Sequence, residues 1–169
     1  GGQRLEGVTE SGERLFGWDY LRVRWAEGMV LDPSRNRPAA WATMEASDVE
    51  LLLRDRDGRS TISDPSGRAA LLRDLGTQMQ RMGCTTAEDL LRSSSGKLES
   101  DRPPGLYRLL RQFHAYRDPV RKKSSFLLEL MRGQCGWTYV DEQTFGAPVD
   151  YHGVCVQLSN GTVGVTDHG

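Results

Sequence analysis

Gly105-Leu-Tyr-Arg-Leu-Leu-Arg-Gln-Phe-His114, then Ala115-Tyr-Arg-Asp118, then Pro119-Val-Arg-Lys-Lys-Ser-Ser-Phe-Leu-Leu-Glu-Leu-Met-Arg132, is the stretch on which the reading of the fold turns. Leu106, Leu109, Leu110 and Phe113 recur at helical spacing, as do Leu127, Leu130 and Met131. Asp118 is a good helix N-cap and Pro119 a good first helical residue, since the N–H that proline lacks would be unpaired there anyway. The stretch therefore reads as a helix over 105–114, a tight turn, and a second helix over 119–132 that Gly133 ends.

Helical signals extend upstream. Ser47 followed by Glu50 predicts a capping box for a helix reaching Arg54. Asp64-Pro65 predicts the start of a longer helix with an apolar stripe of Leu72, Leu75, Met79 and Met82, stopped by Gly83. Thr86 with Asp89 opens a short helix over 87–92. Residues 55–63 and 93–104 read as polar loops, and Asp32-Pro33-Ser34 and Arg37-Pro38 as turns. Only Arg14 to Trp25, aromatic and β-branched with partial alternation, reads as a short strand pair or an extended arm. The expectation is a mainly α fold: an N-terminal arm over 1–45, with strands packing on a helical domain over 46–169. The final segment, Val154 to Leu158, reads equally as a helical turn or a strand.

Composition narrows the class. A chain of 169 residues with 37% apolar content can bury a core. It holds no run of about 18 apolar residues and no signal peptide, which points to the cytoplasm and away from a membrane. Cys84, Cys135 and Cys155 are odd in number and lack metal-site spacing, so reduced thiols are expected and neither metal nor cofactor is implied. The net charge is −1, yet from Arg102 to Lys123 seven cations face the single acid Asp118. A neutral protein can thus present one basic face.

The head of the second helix sharpens that point. A helix N-terminus offers unpaired N–H groups and a partial positive charge, a ready anion site. Arg121, Lys122 and Lys123 crowd its first turn, where cations oppose the helix dipole unless an anion such as phosphate joins them.

Asp118-Pro-Val-Arg-Lys122-Lys-Ser-Ser-Phe126, with Pro148-Val-Asp150-Tyr after a loop, resembles the helix-hairpin-helix DNA glycosylases, most of all the archaeal 8-oxoguanine branch. The likeness covers roughly residues 105 to 158. It implies a helix-hairpin-helix domain, with Asp150 following Lys122 by 28 residues as the family's aspartate follows its lysine. It implies Lys122 as the nucleophile that attacks the sugar carbon and forms a Schiff base, and Asp150 as the group that stabilises the cationic sugar. The adjacent Lys123 is a rival nucleophile; the spacing to Phe126 favours Lys122. Tyr116, Arg117, Arg121, Lys123 and Ser124 are the implied DNA contacts. Phe126, Trp137, Trp41 and His152 are the candidates to line the pocket for a flipped base. The implied activity is base excision from double-stranded DNA carrying an oxidised or otherwise modified base. The chain would act as a monomer near the nucleoid, without a cofactor. Two other readings stand beside it: an N-glycosidase acting on a free modified nucleoside or nucleotide, and a non-enzymatic helix-hairpin-helix DNA-binding module.

Overall fold

The computed structural model describes residues 5–146. Asp150, His152, Cys155 and the Val154–Leu158 segment lie outside the described residues. The described residues are mainly helical with one two-stranded sheet, and the chain divides into two compact units, Gly1–Asp89 and Leu90–Gly169.

In the first unit, β1 (Glu6–Val8) pairs antiparallel with β2 (Arg14–Phe16), Gly7 facing Leu15. The expected extended reading of Arg14 to Trp25 is corrected here. The strand stops at Phe16, and α1 (Gly17–Leu31) takes over. The reason is tertiary. The Tyr20 ring is fully buried against Gly7, where a Cβ would collide with it, and its hydroxyl donates to the Leu53 carbonyl at 3.0 Å. A helix puts Tyr20 inward while Trp18, Leu21 and Trp25 share another face.

Asp32 holds the next turn by accepting from the Ser34 N–H at 3.1 Å. A one-turn helix, α2 (Pro38–Trp41), follows that the sequence reading took for a turn. The first capping box exists, but two residues earlier: Glu45 is the N-cap of α3 (Ala46–Leu52), with Asp48 rather than Glu50 as the reciprocal partner. The Glu45 N–H donates to the Asp48 carboxylate at 2.8 Å.

α4 (Pro65–Arg81) begins as expected, with the Asp64 carboxylate accepting from the Gly67 N–H at 2.9 Å. It ends as expected too. Gly83 adopts φ +70°, the Cys84 N–H reaches the Met79 carbonyl at 2.9 Å, and the Gly83 N–H reaches the Gln80 carbonyl at 3.0 Å. That 6→1 and 5→2 pair is a Schellman motif. Gly76 on α4 lies directly against the backbone of α2, so only a residue without a Cβ lets the two helices approach. Met44, Val49, Leu53 and Ala69 form the buried cluster, with Leu21, Trp41, Ile62 and Leu72 packed on it. α5 (Ala87–Ser93) contains the division between the units.

In the second unit, α6 spans only Leu106–Leu110 and is followed by a 3-10 turn at His114–Tyr116. The single helix expected over 105–114 is therefore shorter than predicted. Phe113 leaves the helical path to be buried at 1% exposure, and the Arg117 guanidinium covers the Arg111 and Gln112 carbonyls that a longer helix would have paired. α7 (Lys122–Cys135) begins later and ends later than expected. Asp118 and Pro119 build a turn instead of a helix start, closed by the Arg121 N–H donating to the Asp118 carbonyl at 3.1 Å. Gly133 passes within the helix, and Gly136, at φ +67°, terminates it. The second glycine wins because Trp137, just beyond it, is buried at 8% exposure.

Residues 93–104, read as a polar loop, are anchored. Leu98 is fully buried, and the Leu98 and Glu99 N–H groups donate to the Asp141 carboxylate at 2.7 and 3.0 Å. No described helix is long and apolar enough to cross a membrane.

Candidate functional site

The second unit gathers its cations around the helix–turn–helix segment. Residues 97–101 fold back along α6: the Leu106 N–H donates to the Lys97 carbonyl at 2.9 Å, and the Gly105 N–H to the Ser100 carbonyl at 2.8 Å. This places Glu99, Ser100 and Asp101 beside Arg108 and Arg111, which share one face of the chain at a spacing of three. Together with Tyr107 and Arg121 they line a cleft of about 500 Å³.

Arg121 is held in the cleft by two partners. It occupies the N-cap of α7 in the left-handed conformation, φ +56°, a strained position for a side chain larger than glycine's. Its guanidinium pairs with Glu99 and lies 5.0 Å from the centre of the Tyr107 ring. Arg108 pairs with Asp101 at 3.4 Å. Arg111 has no acidic partner among the described residues. Three guanidinium groups against two carboxylates leave the cleft cationic, with Arg111 able to take an anion without displacing a partner. Tyr107 is itself held. Its hydroxyl is 3.1 Å from the Ser125 hydroxyl and accepts from the Gly146 N–H at 3.0 Å.

Lys122 is the first residue of α7, half-buried, immediately after the Asp118–Arg121 turn. Lys123 is exposed, and its backbone N–H reaches the Asp118 carboxylate at 3.4 Å. Arg121 lines the cationic cleft. Arg117 points back to the chain just past α6 and donates to the Arg111 and Gln112 carbonyls at 3.3 and 3.0 Å, a structural use of a side chain selected for DNA phosphate. Tyr116 packs edge-on to Phe113 with ring centres 6.4 Å apart, and burial pushes its phenol pKa up. Ser124 is inside the unit at 1% exposure, with its hydroxyl unpaired, so its side chain offers no surface contact to DNA.

The described pocket candidates are divided between the two units. Phe126 is exposed at 54%. Trp137 is buried in the second unit, whereas Trp41 packs on the core of the first. The described His, Cys, Asp and Glu residues form no cluster that would hold a metal ion.

Arg108 and Arg111 entered the sequence reading only as part of a charge count, and Glu99, Ser100 and Tyr107 not at all. The i, i+3 spacing of the two arginines was a usable signal. The return of residues 97–101 onto α6 had none, because it depends on hydrogen bonds to Asp141, about forty positions away.

Comparison of the chain with protein families, with curated proteins and with solved structures finds no match. What the fold and the cleft define is a mainly helical chain whose second unit presents an arginine-lined cleft next to a helix that begins with a lysine.

Proposed function

We propose that the chain is a DNA glycosylase with lyase activity, acting near the nucleoid on double-stranded DNA that carries an oxidised or otherwise modified base. The observation that carries this reading is the position of Lys122. It stands at the head of α7, directly after the Asp118–Arg121 turn and next to a cleft lined by Arg108, Arg111 and Arg121. An amine at a helix head meets a sugar–phosphate backbone in the right chemical order: helix N–H groups and arginines take the phosphates, and the amine reaches the sugar.

In this mechanism the neutral Lys122 amine attacks the sugar carbon bearing the base. The C–N bond to the base breaks, and its electron pair leaves with the base, which gains a proton. The amine gives one proton to the departing base and the other to the ring oxygen as the bond between that oxygen and the sugar carbon breaks and the ring opens, leaving a Schiff base between Nζ and that carbon. Asp150 is assigned to stabilise the cationic sugar, as the sequence resemblance implies.

The test is borohydride trapping on duplexes carrying different modified bases. A covalent protein–DNA adduct with one duplex, absent with Lys122→Gln and retained with Lys123→Gln, supports the reading. Abasic sites without an adduct, abolished by Asp150→Asn, would make the protein a glycosylase that uses water instead of lysine. A second reading, a non-catalytic DNA-binding module, is favoured by the exposure of Phe126 at 54%, which leaves that ring outside any closed pocket formed by the described residues. Salt-dependent binding of all duplexes alike, with no product from any, would select it.

A further inference from the structure

The first unit carries a trough of about 410 Å³ that none of the preceding chemistry uses. Three helices line it, each with residues at helical spacing: α1 gives Trp18, Leu21 and Trp25, α3 gives Val49 and Leu52, and α4 gives Leu71. Trp18 remains 54% exposed and Leu71 40% exposed, although both are large and apolar. An open apolar surface of this kind is costly in water and marks a contact site when polar groups rim it.

Here the rim is cationic. The charged side chains of the lining are Arg22 on α1 and Arg68 on α4, and no acid among the described residues lines the trough. Both arginines are exposed, and neither has an ion-pair partner among the described residues; Arg68 only donates through Nε to the Ser63 carbonyl at 2.9 Å. The walls discriminate between occupants. Below the rim the walls are Val49, Leu52, Leu53, Leu71 and Leu72 with the Trp18 and Trp25 rings, so the several polar atoms of a nucleobase edge would meet only the indole N–H groups and the two rim arginines, and its buried acceptors and donors would be incompletely paired. A helix with aliphatic or aromatic side chains along one face buries nothing polar and can set carboxylates on its flanks opposite the arginines.

We infer that this trough is a docking site for an amphipathic helix of a partner protein, one whose apolar face is flanked by aspartate or glutamate. The apolar side chains enter between α1 and α4, and the acidic flanks pair with Arg22 and Arg68. This assignment is independent of the glycosylase proposal.

The test uses the full chain and fluorescence anisotropy. The probe is a labelled short peptide with leucine and phenylalanine at i, i+3 and i+7 and glutamates on both flanks. Saturable binding is expected, weaker by about tenfold when the flanks are lysine, because two exposed ion pairs become two repulsions. The double variant Arg22→Glu/Arg68→Glu, both sites being on the surface, should keep its circular dichroism and bind the lysine-flanked peptide in preference. Three results would overturn the assignment: equal affinity for the two peptides, a preference that charge reversal leaves unchanged, or no binding of either. A concentration-dependent dimer that the double variant abolishes, in place of peptide binding, would assign the trough to a second copy of the chain and refute the partner-helix reading.

Discussion

Asp141 is the point at which the stability of the cationic cleft can be measured. Its carboxylate accepts from the Leu98 N–H at 2.7 Å and the Glu99 N–H at 3.0 Å, and from the Thr144 hydroxyl at 3.3 Å. The first two bonds hold the segment that carries Glu99, the partner of Arg121. A hydrogen bond to a charged group contributes about 1.5–3 kcal/mol, and Asp141 is only part-buried, so the lower figure applies. Asp141→Ala removes both backbone bonds and should cost about 3 kcal/mol. Asp141→Asn keeps one neutral acceptor worth about 1 kcal/mol and should cost about 2 kcal/mol.

The pH dependence has a definite sign. Desolvation raises the Asp141 pKa, but the backbone bonds from Glu99 and Leu98 outweigh it, and the net shift is downward. A carboxyl group with a lowered folded-state pKa contributes stability that is present above its unfolded value, about 3.9. That contribution is lost as the pH falls through the folded value. Urea unfolding at neutral pH should therefore show the full deficit of both variants, and at about pH 2.5 the gap between wild type and Asp141→Asn should shrink. Amide exchange at Leu98 and Glu99 should accelerate in both variants. An Asp141→Ala protein within about 0.5 kcal/mol of wild type, the scale of an ordinary surface change, would refute the reasoning. So would a gap that does not change with pH.

Three further outcomes are expected. Gly76→Ala should destabilise the first unit by about 1–3 kcal/mol or more, because the new methyl meets the α2 backbone, which cannot rotate away as a side chain can; thermal unfolding checks it, and an unchanged midpoint would mean that α2 and α4 are not packed as described. The Asp89 carboxylate, which accepts from the Thr85 and Thr86 N–H groups at 2.7 and 2.8 Å, should titrate with a pKa of about 2 by carbon-13 NMR, and its support of the α5 start should be present above the ordinary carboxylate range and vanish as the pH falls toward that value. Arg111→Glu should weaken binding of a duplex or of inorganic phosphate and flatten its salt dependence, since it removes the cleft's unpaired cation; an unchanged salt slope would place the anion elsewhere.

The legible parts of the fold are those fixed by local chemistry. Asp64-Pro65 and Gly83 bracket α4 as read, because a carboxylate N-cap, a first-turn proline and a left-handed glycine act on the few residues around them. The Thr86–Asp89 helix start is of the same kind. The misread parts are those where two local signals compete and a distant contact decides. Gly133 and Gly136 are equivalent as helix stops until Trp137 is buried. Asp118-Pro119 is equally good as a helix start and as a turn, and closure through Arg121 makes it a turn. The alternation in Arg14–Trp25 favours a strand until Tyr20 packs on Gly7 and donates to Leu53.

The candidate site divides in the same way. The sequence by itself determined the mainly helical class, the concentration of cations between Arg102 and Lys123, and a lysine near the head of a helix. Charge count, periodicity and capping are properties of neighbours in the chain. Only the tertiary structure decided which of those cations share a cleft. Arg117 turned away to the Arg111 and Gln112 carbonyls and Ser124 turned inward, while Arg108, Arg111 and Arg121 were brought to Glu99, Ser100 and Tyr107. That selection rests on the Asp141 carboxylate gripping the Leu98 and Glu99 amides, a contact between segments about forty residues apart that no local pattern encodes.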